Sequence, residues 1–254
     1  MKVGDVSMMR FLVPAFLGIC FAVCLAEEPP KPAPPTPEAV EFAKKIADAL
    51  RSAKVVTYKA KYTPSGWVSQ RVPSVEGSAT VGDQSKHKID SFAVQVKMQK
   101  AGSEDVIEMA AGSDGNEYFL IDSKAKVCYK DLDSAVLGSQ GRNVQRIVLR
   151  DFAALDPLAD VLKGGEIELK GDVKVGEEEC REIFMKFPDT GAMTWAVSKK
   201  DFLPRKVTRH IKGEEGEATT ELVISDLVVN PQFVRNPFEM ICPQGFKQTD
   251  EFAP

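Results

Sequence analysis

Val55-Val56-Thr57-Tyr58-Lys59-Ala60-Lys61-Tyr62 is the stretch on which the fold turns. Successive side chains of an extended chain point to opposite sides, so Val56, Tyr58, Ala60 and Tyr62 share one face and Thr57, Lys59 and Lys61 the other. A strand with one apolar and one polar face is half-buried and suits an antiparallel sheet. The same period of two returns in Val94/Val96/Met98 and in Ile107/Met109. Ser113-Asp114-Gly115-Asn116 and Ser123-Lys124-Ala125-Lys126 read as the turns between the strands that follow. Further strands are expected at 166–174, 179–187, 192–199, 204–212 and 217–229. Their apolar sides are Ile183/Met185/Phe187, Met193/Trp195/Val197 and Leu222/Ile224.

Upstream, Thr36-Pro37-Glu38 combines a capping threonine, a proline at the first helical position and an acid in the first turn. Val40, Ala43, Ile46, Ala47 and Leu50 recur at helical spacing, which predicts an amphipathic helix over 37–53. Between the two strand runs, about 132–162, the pattern leans helical. Val144, Ile147, Val148, Phe152, Leu155, Leu158, Val161 and Leu162 are its apolar positions, with Pro157 opening a short segment 157–163 that Gly164-Gly165 closes. Pro231, Pro237 and Pro243 break up the tail, leaving room for one short strand near 238–241. A long meander must close or cover its apolar face. The expected fold class is therefore α+β, mainly β: a curved antiparallel sheet forming an unclosed β-barrel, with the N-terminal helix and the helical insert covering its concave face.

The N-terminus decides the compartment. Lys2 and Arg10 precede an apolar stretch, Phe11–Ala26, which is followed by Glu27-Glu28 and a proline-rich run. Its 16 residues fall short of the about 20 that cross a bilayer as a helix. The pattern reads as a secretory signal peptide at 1–26 with cleavage after Ala26; an uncleaved anchor is the alternative. Cys20 and Cys24 invite a lipidation reading, but bulky Ile19 and Val23 stand where a lipoprotein signal needs a small residue. Residues 27–37, with six prolines in eleven, read as an extended linker. A single domain is expected over 38–254. The expected localisation is outside the cytoplasm, in the periplasm or cell envelope.

Without Lys2, Arg10 and Asp5 the chain carries 31 basic and 36 acidic residues, a balance that offers nucleic acid nothing. The basic patch Arg205-Lys206…Arg209-His210-Ile211-Lys212 reads as the solvated face of a strand. Glu177-Glu178-Glu179 and Asp131/Asp133 read as solvated turns. Cys128, Cys180 and Cys242 form an odd set with no C-x-x-C spacing. One pair could bridge in an oxidising compartment; strand cysteines are commonly buried and free, and no essential disulfide is expected. His87 and His210 lack metal-ligand spacing, and the chain holds no G-x-S-x-G, P-loop, H-E-x-x-H or G-x-G-x-x-G motif. No catalytic residue, metal or cofactor is expected, and the chain does not read as an enzyme.

The order of local features resembles the LolA-like superfamily of exported lipoprotein carriers and lipid-binding relatives. The features are Ser113-Asp114-Gly115 leading into Tyr118, Phe119 and Asp122; Asp201 with Leu203-Pro204; Asp226, Asn230-Pro231, Phe238, Pro243 and Gly245. The resemblance implies an unclosed barrel whose concave face holds acyl chains or other apolar ligands. Carriers of that family open the strand after the first hairpin with an arginine-proline pair that gates the cavity. Here Gly82-Asp83-Gln84-Ser85-Lys86-His87-Lys88 contains none, and lysine does not make arginine's forked contact. The expectation is therefore binding of a lipid, a lipoprotein acyl chain or another apolar ligand. The alternative is a cell-envelope sensor or protein-interaction module with a filled core.

On alternation, the apolar lining comprises Val56, Tyr58, Tyr62, Val94, Val96, Met98, Ile107, Met109, Phe119, Ile121, Ile183, Met185, Met193, Trp195, Val197, Leu222 and Ile224. Within it Phe119 is read with the least support, because Tyr118 and Leu120 beside it are equally apolar. A buried methylene contributes about 0.8 kcal/mol, so an acyl chain needs no polar motif to bind. Expected partners are a lipid or acyl-chain ligand, and envelope lipoproteins or a membrane-bound protein. Nucleic acid is not expected, and the chain is expected to be a monomer.

Overall fold

The strand that opens the sheet in sequence ends near its middle in space. A computed structural model describes residues 34–82, 90–133, 136–138, 141–187 and 191–252; the expected signal segment, most of the expected linker and His87 lie outside them. Helix α1 (Pro37–Ser52) is capped by the Thr36 hydroxyl, which accepts from Ala39 N at 3.2 Å. It buries Ala39, Ala43, Ile46, Ala47 and Leu50 along one stripe. Strands β1 (Val55–Gly66), β2 (Ser74–Gly82), β3 (Phe92–Gln99), β4 (Val106–Ser113), β5 (Tyr118–Asp122) and β6 (Val127–Leu132) follow. After the insert come α2 (Ala159–Gly164), β7 (Glu166–Val175), β8 (Glu178–Phe187), β9 (Gly191–Ser198), β10 (Pro204–Gly213), β11 (Gly216–Val229) and β12 (Lys247–Thr249).

The sheet order is β12-β6-β5-β4-β3-β2-β1-β11-β10-β9-β8-β7. Each neighbour is antiparallel except β12 on β6. Among the described residues no pairing joins β7 to β12, so the barrel is open. Long β1 and β11 knit the two meanders together, from Val56 opposite Val229 to Gly66 opposite Ala218. Bending brings strands close at Gly77: a Cβ there would stand 1.9 Å from the Gln95 carbonyl oxygen. Only glycine tolerates that approach.

Residues that marked the family resemblance hold turns. Asp114 accepts from Asn116 N and Glu117 N, Asp122 from Lys124 N and Ala125 N, and Asp201 from Leu203 N. Asn230 accepts from Val55 N at 3.1 Å and donates to Ser52 O at 3.2 Å, fastening the end of β11 to the exit of α1.

Several expectations need correction. The short helix begins at Ala159, not 157, because Leu158 adopts a left-handed conformation (φ 61°) and turns its buried side chain inward. The tail strand lies at 247–249, not near 238–241, placed where Lys247 N donates to Lys126 O. Cys128 is not free: it is joined to Cys242, while Cys180 is buried and unpaired. Arg205 and Glu178 are no solvated pair. Arg205 is 8% exposed and donates to Glu178 through Nε at 2.7 Å and Nη2 at 3.1 Å, and to Asp201 at 2.6 Å. Burial alone would raise Glu178, but hydrogen bonds from Arg205 and Ser198 outweigh it and hold the carboxyl below its ordinary value. This cluster ties the starts of β8 and β10 to the β9–β10 turn.

Candidate ligand-binding site

Strand register assembles the concave face in rows. One runs Tyr62, Leu222, Val207, Trp195, Ile183 across β1, β11, β10, β9 and β8. Another runs Tyr58, Ala79, Val94, Ala111, Leu120, Tyr129 across β1 to β6. Val56, Val96, Met98, Met185, Met193, Val197 and Ile224 join them in a single apolar cluster. Met109, opposite Val96, is only partly buried against it, and Ile107, opposite Met98, is 42% exposed at the rim.

Phe119 and Ile121 are not part of this face. Phe119 pairs with Gly112 and Ile121 with Ala110, which places both on the convex side. There they pack with Cys128 beside Met240, Cys242 and Phe246. The reason is the glycine: the Phe119 ring lies over Gly112, where a Cβ would come within 2.4 Å of it. Leu120 and Tyr129, absent from the expected lining, take the concave positions. Four consecutive apolar residues, 118–121, conceal their alternation; the facing Gly112 was the available clue.

The insert covers the β1–β4 part of the concave face through Val144–Ile147 and Arg150–Phe152, two 3-10 turns. Leu137, Val144, Ile147, Leu149, Phe152 and Leu158 press into the cluster. Among the described residues no strand pairing holds this segment; apolar packing holds it, together with a few polar contacts. The Tyr58 hydroxyl donates to Ile147 O and accepts from Leu149 N, both at 2.9 Å. Burial drives the Tyr58 hydroxyl well above its usual pKa, which keeps it a donor. Arg146 donates to the Tyr62 hydroxyl at 3.2 Å and lies over its ring, and Arg150 pairs with Asp90. Asp151, half-buried as a residue, is raised because protein crowds water from its carboxyl; Arg209 pulls it part of the way back. Trp195 is wholly buried, yet its Nε1 donor has no acceptor among the described residues.

The convex face carries a groove of about 710 Å³ along β11 and β1 to β5, bounded by Ile241 and Pro243 of the tail. Phe238 of the same tail lies against Gly82, where a Cβ would meet its ring at 2.7 Å.

Residues 90–250 match the family described as "Predicted periplasmic protein (DUF2092)", well over half of the chain. The chain belongs to the DUF2092 family. This family member is thus exported, a protein of the periplasm or cell envelope. No curated protein matches it. Its fold is similar to that of LprF from Mycobacterium bovis, with a TM-score of 0.50 at 12% identity over 82% of this chain and 100% of that one. The lipoprotein LppX of Mycobacterium tuberculosis scores 0.47 at 11% identity, over 78% and 99%. MucB, in its complex with MucA from Pseudomonas aeruginosa, scores 0.43 at 11% identity, over 80% of this chain and 61% of that one. At these identities the likeness concerns the fold alone.

Proposed function

We propose that the protein is an exported, non-enzymatic carrier or binding protein for a lipid, a lipoprotein acyl chain or another apolar ligand, held on the concave face beneath the insert. The observation that carries this reading is the insert's attachment. It packs into an apolar trough lined by β1 to β4 and is tied there by side-chain contacts from Tyr58, Tyr62 and Asp90, with no strand ladder among the described residues. Such a cover can lift without unpairing the sheet. The unpaired Trp195 donor supports the same reading, since a buried donor without a partner costs about 1–3 kcal/mol and a ligand oxygen would supply one.

A second reading, an interaction module or envelope sensor with a filled core, has its own support. The concave residues are tightly buried with the insert in place, and the groove lies on the other face. Lipid extraction, native mass spectrometry and uptake of a fluorescent fatty acid test the first reading. Trp195→Gln and Met109→Gln should weaken uptake in protein that remains folded. Absence of co-purified lipid and of uptake by the wild type would reject it in favour of the second.

A further inference from the structure

The convex groove is graded from end to end. Its floor follows one register row, Ser225, Lys59, Ser78, Gln95, Ala110, Ile121, across β11 and β1 to β5. From Ser225 the row carries a cation, Lys59, then passes through small and neutral polar side chains and ends on Ile121. At that end the tail adds Ile241, which is 51% exposed, and Pro243. The Cys128–Cys242 bridge fixes the tail there, because Cys128 is the register partner of Ile121 on β6. At the cationic end Lys61 makes no ion pair among the described residues. Lys59 meets Asp226 at 2.9 Å, but both side chains are about two-thirds exposed, and such pairs hold weakly against a competitor.

The next row, Lys61, Glu76, Lys97, Glu108, alternates in charge and also lines the groove, with Lys97 bonded to Glu108 at 3.1 Å. Its two acids lie outside the floor row, which contains none. From Lys59 to Ile121 there are four strand spacings, about 19 Å. A cavity of this volume falls in the range of about 300–1,000 Å³ usual for small-molecule sites.

We propose that this groove is a second binding site, separate from the concave face, for an amphiphile that joins an anionic head to a single acyl chain. The head rests at Lys59 and Lys61, and the chain runs across the sheet to end beneath the tail against Ile121 and Ile241. The disulfide acts as the clasp of that apolar end.

The test titrates the purified protein with dodecanoate, with dodecanol as the uncharged control and with a lysophosphatidylglycerol as the lipid-headgroup source. Isoleucine-methyl spectra report position. Ile121 and Ile241 should shift on titration while Ile183 and Ile224, on the concave face, do not. Lys59→Glu/Lys61→Glu and Ile241→Asp should each raise the Kd about tenfold or more, equivalent to about 1.4 kcal/mol, with little change in melting temperature. Dodecanol should bind correspondingly more weakly than dodecanoate. Tighter binding of the lysolipid would assign the head to a phosphodiester, and tighter binding of dodecanoate to a carboxylate. Shifts confined to Ile183 and Ile224, undiminished affinity in both groove variants, or no binding of any probe would overturn the proposal. The first of those results would leave the concave-face reading standing, so the two fail separately.

Discussion

Strand β5 belongs to two environments one residue apart. Leu120, 1% exposed, enters the concave cluster beneath the insert, whereas Phe119 and Ile121 on the other side meet the tail and the Cys128–Cys242 bridge. The concave face is an apolar bed built from every strand between β1 and β11 and closed by helices. The convex face is mostly polar, and its apolar patch exists because a covalently tethered segment crosses it. One face is held by packing area, the other by a clasp, so different perturbations should release them.

Trp195→Ala should have the largest effect. Removing the largest fully buried side chain of the concave row should cost about 3–5 kcal/mol, read in denaturant unfolding. A loss below about 1 kcal/mol would mean that this bed is loosely filled. The disulfide comes next. Replacing Cys128 and Cys242 with serine opens a covalent loop with a sequence separation of 114, for which about 2–4 kcal/mol is usual. Far-ultraviolet circular dichroism should still report the sheet, because the strand ladder does not pass through the bridge; a chain that cannot fold without it would merge the two regions into one.

Tyr58→Phe should act on the concave side alone. It leaves Ile147 O and Leu149 N without their buried partner, about 1–3 kcal/mol, and should speed amide exchange across 144–152 while 247–249 keeps its protection. Equal acceleration at both places would contradict separate fastenings.

The smallest effects come from two carboxyls whose pKa values are displaced in opposite directions. Asp151 is raised above the ordinary 3.8, so its contribution is fully present below that pH and is lost as pH rises through the folded value. Asp151→Asn should therefore raise the melting temperature at pH 7, and the gain should vanish toward pH 3. Glu178 is lowered from 4.5, so the stability it lends is present above that pH and is lost as pH falls through the folded value. Arg205→Met should accordingly flatten the acid limb of the stability profile. A variant profile parallel to the wild type in either case would refute the assignment.

The period of two in Val55–Tyr62 and in the five strands after 165 was legible because each alternates apolar with polar side chains, and one buried face imposes that alternation. The first helix was legible for the same reason at a different period, with a capping threonine to mark its start. Charge, the leader-like N-terminus and the turn aspartates were local signals too. Alternation could not orient β5, where four apolar residues run together and the facing Gly112 decides which side the Phe119 ring occupies. It could not pair Cys128 with Cys242, since a bridge depends on where a tail returns after crossing several strands. Nor could it separate Glu178 from its solvated neighbours, because Arg205 lies 27 residues away and reaches it only when β8, β9 and β10 are in register. Local periodicity determined the elements and their faces; contacts between residues distant in sequence decided what lies against each face, because they exist only after the sheet has curved.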